Sequence, residues 1–137
     1  MAASDYLEQQ IIDHVLNGGA EFTFASPASV YLALYTTAPS DSGGGVEITG
    51  VGNYTRKTLT AAFNTMTGVT DGITENTAEI AFPQCTGANW GLVTAIGLFD
   101  AATTGNLLYH GSLTVDKQVD INDTFKIAAG DLTITLS

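Results

Sequence analysis

The segment Trp90-Gly91-Leu92-Val93-Thr94-Ala95-Ile96-Gly97-Leu98-Phe99-Asp100-Ala101 sets the strongest limit on what this chain can fold into. Its apolar residues occupy consecutive positions, so a strand here is apolar on both faces and belongs at the centre of a sheet. Residues 101–106 contain the Gly and Asn of a turn, so 92–99 and 107–112 read as a hairpin. Upstream, Val30-Tyr31-Leu32-Ala33-Leu34-Tyr35-Thr36 alternates between Pro27 and Pro39 as a further strand.

The other segments are short and follow the same period. Residues 54–60 alternate polar and less polar side chains, as a half-exposed strand does. Residues 77–82 are apolar up to Pro83, and 124–128 and 132–136 flank Ala129-Gly130-Asp131 as a second hairpin. Asp41-Ser42-Gly43-Gly44-Gly45 reads as a flexible loop tip. Seven or eight short strands with regular turn signals predict a mainly β fold, an antiparallel β-sandwich of jelly-roll-like type. No internal repeat or heptad pattern of a fibre shaft is visible.

Only the amino terminus has helical period. Leu7, Ile11 and Val15 fall at i, i+4 and i+8, with Ile12 and Leu16 beside them, which makes a broad apolar stripe. Asp5 followed by Glu8 resembles a capping box, and Gly18-Gly19 supplies a left-handed stop, so one α-helix is predicted over 5–17. The chain thus divides into an N-terminal helix within 1–19, packed on the domain or on a neighbour, and a sandwich over 20–137, together a single domain.

A chain of 137 residues with 45% hydrophobic and 13% charged residues can bury a core and is not disordered. Its charge is lopsided. Four basic residues, Arg56, Lys57, Lys117 and Lys126, face fourteen acidic ones, for a net charge of −10. Nucleic acid and anionic membrane surfaces both require clustered cations, so neither is an expected partner. Such a charge keeps a protein soluble, and it also suits docking onto a basic partner. No signal peptide or membrane-length apolar run is visible. The single Cys85 lies in an apolar stretch, as a buried, inert thiol does.

No catalytic constellation assembles, so the chain is not expected to be an enzyme. There is no Gly-x-Ser-x-Gly, and His14 and His110 lie on different elements. One Cys and two separated His do not make a zinc site. Residues 116–123 are rich in oxygen ligands but lack the glycine and distal glutamate of an EF-hand loop, and read as a solvated turn. Asp71, Glu75 and Glu79 lack a nearby aromatic platform and read as solvent-facing charges. No cofactor or metal is expected. The candidate partner-contacting residues are Tyr6, Leu7, Ile11 and Val15 on the helix, together with Trp90, whose large ring suits a core or interface anchor or else a sugar-stacking platform.

Several blocks also resemble a family of short bacteriophage virion structural proteins, tail-fibre-like or capsid-decoration-like. They are Asp13-His14-Val15-Leu16, residues 27–39, Gly52-Asn53-Tyr54-Thr55-Arg56, Phe82-Pro83, residues 90–101, Gly105-Asn106-Leu107-Leu108-Tyr109-His110-Gly111, and residues 123–134. The resemblance spans nearly the whole chain in order. It implies a virion component assembled in the host cytoplasm and no reaction. A compact domain without shaft repeats favours a capsid decoration (cement) protein, self-associated as a homotrimer on the major capsid protein. A tail component such as a fibre or receptor binder is the alternative, and a carbohydrate-binding module a further one.

Overall fold

A computed structural model describes residues 1–18, 26–63 and 72–136. Two parts of the sequence reading, Gly19 of the helix stop and Asp71, lie outside them. The described residues form a mainly antiparallel β-sandwich with one helix. In chain order the elements are β1 (Ala2–Ala3), α1 (Asp5–Leu16), β2 (Val30–Thr37), β3 (Val46–Glu47), β4 (Lys57–Leu59), β5 (Ile73–Glu75), β6 (Ile80–Ala81), β7 (Gly91–Phe99), β8 (Leu107–Val119), β9 (Lys126–Ile127) and β10 (Thr133–Thr135).

The large sheet runs β1-β8-β7-β2-β3, and β4 also pairs with β2. As its two-sided apolar sequence requires, β7 lies at the centre, and it forms the expected hairpin with β8. The second layer is made of two short ribbons, β10 with β5 and β6 with β9. This corrects the hairpin expected at the carboxyl end. Its two strands do not pair with each other; each finds a partner some fifty residues earlier in the chain, because both must cover the large sheet.

Alternation along β2 divides the buried residues between two faces. Leu32 and Leu34 enter the main core with Ile96, Leu98, Phe82, Phe125 and Ile134, whereas Ala33 and Tyr35 join Ala95, Phe99 and Leu107. Along β7 the alternation slips once. Val93 lies opposite Lys117 but Ala95 lies opposite Ser112, so the stretch from Leu113 to Asp116 bulges out against Thr94 alone. At this register shift Val93 and Ala95, two residues apart, fall into different clusters.

Aromatic rings fill the middle of the main core. Tyr54 stands edge-on to Trp90 at 5.3 Å between centroids, Phe82 is 6.0 Å from Trp90, and Phe125 meets Phe82 edge-on at 5.7 Å. The Tyr54 hydroxyl accepts a hydrogen bond from the Leu34 backbone N–H at 2.8 Å, closing a polar group that the centre of the sheet would otherwise leave unpaired.

Burial pushes the Tyr35 phenol up to about 12, with the Glu47 carboxylate adding to the shift, and burial raises the Tyr54 phenol too. The fold therefore holds the neutral phenols. Their contribution to stability is complete below the unfolded-state value near ~10 and is lost as pH rises through the folded-state values. The melting temperature is expected to fall as pH rises from about 10 to about 12, and Tyr35→Phe should flatten that fall. A melting temperature unchanged up to pH 12 would contradict this account.

Candidate functional site

The helix is held in place by its first turn. Ser4, not Asp5, is the N-cap, and its hydroxyl accepts from Leu7 N–H at 3.3 Å while donating to the Leu107 carbonyl. The Ser4 N–H donates to Leu108 O at 2.9 Å, and the Asp5 N–H to Asp41 O at 3.0 Å. Just before it, β1 pairs Ala2 with His110 and Ala3 with Tyr109. The helix is thus fixed to β8 and to the loop around Asp41, and Asp5 and Glu8 occupy its first turn, where carboxylates favour the helix dipole.

The same loop is tied down elsewhere. Ser40 and Gly43 exchange backbone hydrogen bonds at 2.9 Å, and Asp41 Oδ1 lies 2.8 Å from His110 Nε2. This corrects the reading of 41–45 as a flexible tip, since its tight turn packs against the helix start and β8. Between loop and helix runs a groove of about 480 Å³ lined by Tyr6, Gln9, Tyr35, Ser42 and Asn106 among others.

The orientation of the helix is the main finding. Its buried residues are Leu7, Gln10 and Asp13, a mostly polar line at i, i+3 and i+6. Three of its apolar residues face outward, with Ile12 55% exposed, Val15 70% and Leu16 74%. The apolar stripe is therefore split: Leu7 packs inward and Ile11 is half-buried, while Ile12, Val15 and Leu16 leave a water-facing apolar patch near the helix end.

The five candidate contact residues are not brought to one surface. Tyr6 and Ile11 are half-buried, Leu7 is buried, and Val15 is exposed. Trp90 is 3% exposed within the aromatic core, so it offers no face for a sugar to stack on. The residues that complete the exposed patch with Val15 are Ile12 and Leu16. Their place in the stripe was legible from the 3.6-residue period, but the period does not say which side of the helix faces in.

The polar groups elsewhere are bound into structure. Arg56 grips both carboxylate oxygens of Glu47 at 2.7 and 2.8 Å, donates to the carbonyls of Ala101 and Thr104, and lies 3.6 Å from the centre of the Phe99 ring. Burial works against its charge, but the Glu47 hydrogen bond and charge outweigh it and raise the Arg56 pKa. This staple joins β3 to the loop between β7 and β8, where Asp100 also accepts from Asn106 N–H at 2.7 Å. Residues 116–119 continue β8, and only Asp120–Asp123 form the turn expected over 116–123, in which Asp123 Oδ2 accepts from Asp120 N–H. Cys85 is fully buried. His14 is exposed on the helix, whereas His110 lies on β8 beside Asp41. No group of three or more metal-ligating side chains occurs among the described residues.

A family model described as podophage GP4 fiber I protein gp80 matches residues 2–135. No curated protein matches the chain.

Proposed function

The chain belongs to the podophage GP4 fiber I protein family, and on that premise we propose that it is a structural component of a phage tail, built into or against the fibre. The observation that carries this reading is the family match, which extends over the whole sandwich and the helix together. The family description names a fibre protein, so it favours the tail component over the capsid decoration that compactness alone suggested.

The geometry agrees with a structural role. Arg56, Asp41, Asp100 and Asp123 each spend their charge on fixing a loop. Among the apolar side chains left on water, Ile12, Val15 and Leu16 gather at the end of the helix, as expected for a surface that meets another protein. The surroundings are acidic and thinly charged, which limits nonspecific association away from that face.

The test is the copy number in purified particles, measured by quantitative mass spectrometry against the major capsid protein, with immunogold labelling to locate it. A small number of copies confined to the tail is the expected result. A copy number near that of the capsid subunit, with label over the head, would replace the tail reading with capsid decoration.

A further inference from the structure

Two apolar features of this chain are left on water at separate places in the fold. One is the end of α1, where the exposed Ile12, Val15 and Leu16 stand at i, i+3 and i+4, the spacing by which a helix anchors in a groove. The other is a groove of about 380 Å³ lined by Leu113, Phe125 and Ile127 and by Val115, which is 64% exposed. The groove follows the stretch where β8 bulges away from β7, Leu113 to Asp116. Outside it, β1 pairs with β8 only at Tyr109 and His110, so no strand of the described residues covers the outer edge of β8 from Gly111 onward. No residue of α1 lines the groove, so the two features do not meet within one copy.

The two features carry opposite charge. Lys117 and Lys126 line the groove beside a single carboxylate, Asp131, so two of the chain's four basic residues gather there. Lys117 is exposed and makes no ion pair among the described residues, and Lys126 meets Glu79 at 3.3 Å with both side chains half in water. The last turn of the helix holds His14 but no Lys or Arg, so the negative end of its dipole has no lysine or arginine of its own beside Val15 and Leu16. Asp5 and Glu8 serve the other end of that dipole and are not needed for this contact. Seating the helix end in the groove of another copy takes both apolar features from water at once and brings lysines to the negative helix end. An unlike partner on either feature would leave the other on water. The −10 charge of each copy opposes association at long range, but salt screens that repulsion, and the facing surfaces pair opposite signs.

We infer that copies of this chain associate head to tail, with Ile12, Val15 and Leu16 of one copy seated in the groove lined by Leu113, Val115 and Ile127 of the next. Such a contact joins unlike surfaces, so it closes into a ring or runs on as a filament according to the rotation between copies. The homotrimer expected from the sequence is the ring of three. The inference goes beyond the tail reading and is independent of it, because it is tested on the purified protein and not by position in the particle.

The experiment is sedimentation velocity of the purified full chain over a range of concentrations, with two variants beside it. Val15→Asp with Leu16→Asp removes the apolar helix end, and Val115→Asp puts a charge into the groove. All three side chains are exposed, so the melting temperatures should stay near that of the parent. The parent is expected to associate as its concentration rises, and each variant alone to associate at least about tenfold more weakly. Mixed together, the two variants should form a dimer of one copy of each and nothing larger, because one intact helix end then meets one intact groove. If Val115→Asp fails to fold, Lys117→Glu, at another exposed position of the same groove, takes its place. A parent that stays monomeric would leave the helix end to an unlike chain and overturn the inference, as would assembly that neither variant weakens. Assembly lost with the helix variant but kept with the groove variant would mean a contact between helices and would equally overturn it. So would a mixture of the two variants that stays monomeric.

Discussion

Replacing Trp90 with alanine is expected to destabilise the protein by about 3–5 kcal/mol, the usual cost of emptying a buried aromatic site. For a domain of this size that is a drop on the order of 10–20 °C in melting temperature. The site cannot collapse easily, because the ring is braced by Tyr54 at 5.3 Å and Phe82 at 6.0 Å, and Phe82 is braced in turn by Phe125. Trp90→Phe should cost well under half as much. It keeps an aromatic ring in place and breaks no protein hydrogen bond, since Trp90 Nε1 has no partner among the described residues. Differential scanning calorimetry of the two variants checks this. Equal losses, or a folded Trp90→Ala at the parent's melting temperature, would contradict the core-anchor assignment.

Asn76→Ala is expected to cost about 3 kcal/mol, from several buried polar groups losing their partner at once. Asn76 is 1% exposed. Its Nδ2 donates to the carbonyls of Ala78 and Ala128, at 2.8 and 2.9 Å, and its Oδ1 accepts from Leu132 N–H at 2.9 Å. Its backbone carbonyl accepts from Gly130 N–H, so one residue holds the 128–132 turn against the start of the second layer. The loss should appear in denaturant unfolding, and the Leu132 amide should exchange faster in hydrogen-exchange measurements. Asn53 is the natural comparison. It bridges Gln84 O and Thr86 N–H in the same manner but at an exposed site, where water replaces it, so Asn53→Ala should cost less than about 1 kcal/mol. Similar losses for the two variants would show that burial is not what gives Asn76 its weight.

Those two sites show where sequence reasoning stops. An Asn before Thr77 has no local signature of a hub, because its partners Ala128 and Leu132 lie more than fifty residues away. Trp90 was readable as a large anchor, but its ring could serve a core or a surface equally well until Tyr54 and Phe82 were seen to surround it. The capping residue was misplaced by one position for a related reason. Both Ser4 and Asp5 can cap, and the choice was made by Leu107 and Leu108, which hold Ser4 from β8.

The sequence by itself determined the elements that rest on local chemistry. The helix over Asp5–Leu16 follows from its 3.6-residue period and acidic first turn, and the pairing of β7 with β8 follows from the Gly- and Asn-containing turn between them. The central place of β7 follows from a strand apolar on both faces. Tertiary structure alone decided how these elements are used. The strands β9 and β10 looked like a hairpin, yet pair with β6 and β5, which brings Phe125, Leu132 and Ile134 into one core with Ile80, Phe82 and the large sheet. The helix stripe was visible in the sequence, but its direction was not. Pinning Ser4 and Asp5 to β8 and the Asp41 loop fixes the rotation of the helix, turns Gln10 and Asp13 inward and leaves Ile12, Val15 and Leu16 facing out. A hydrophobic period reports that a face exists, whereas the anchoring contacts made by distant residues set the side on which it lies.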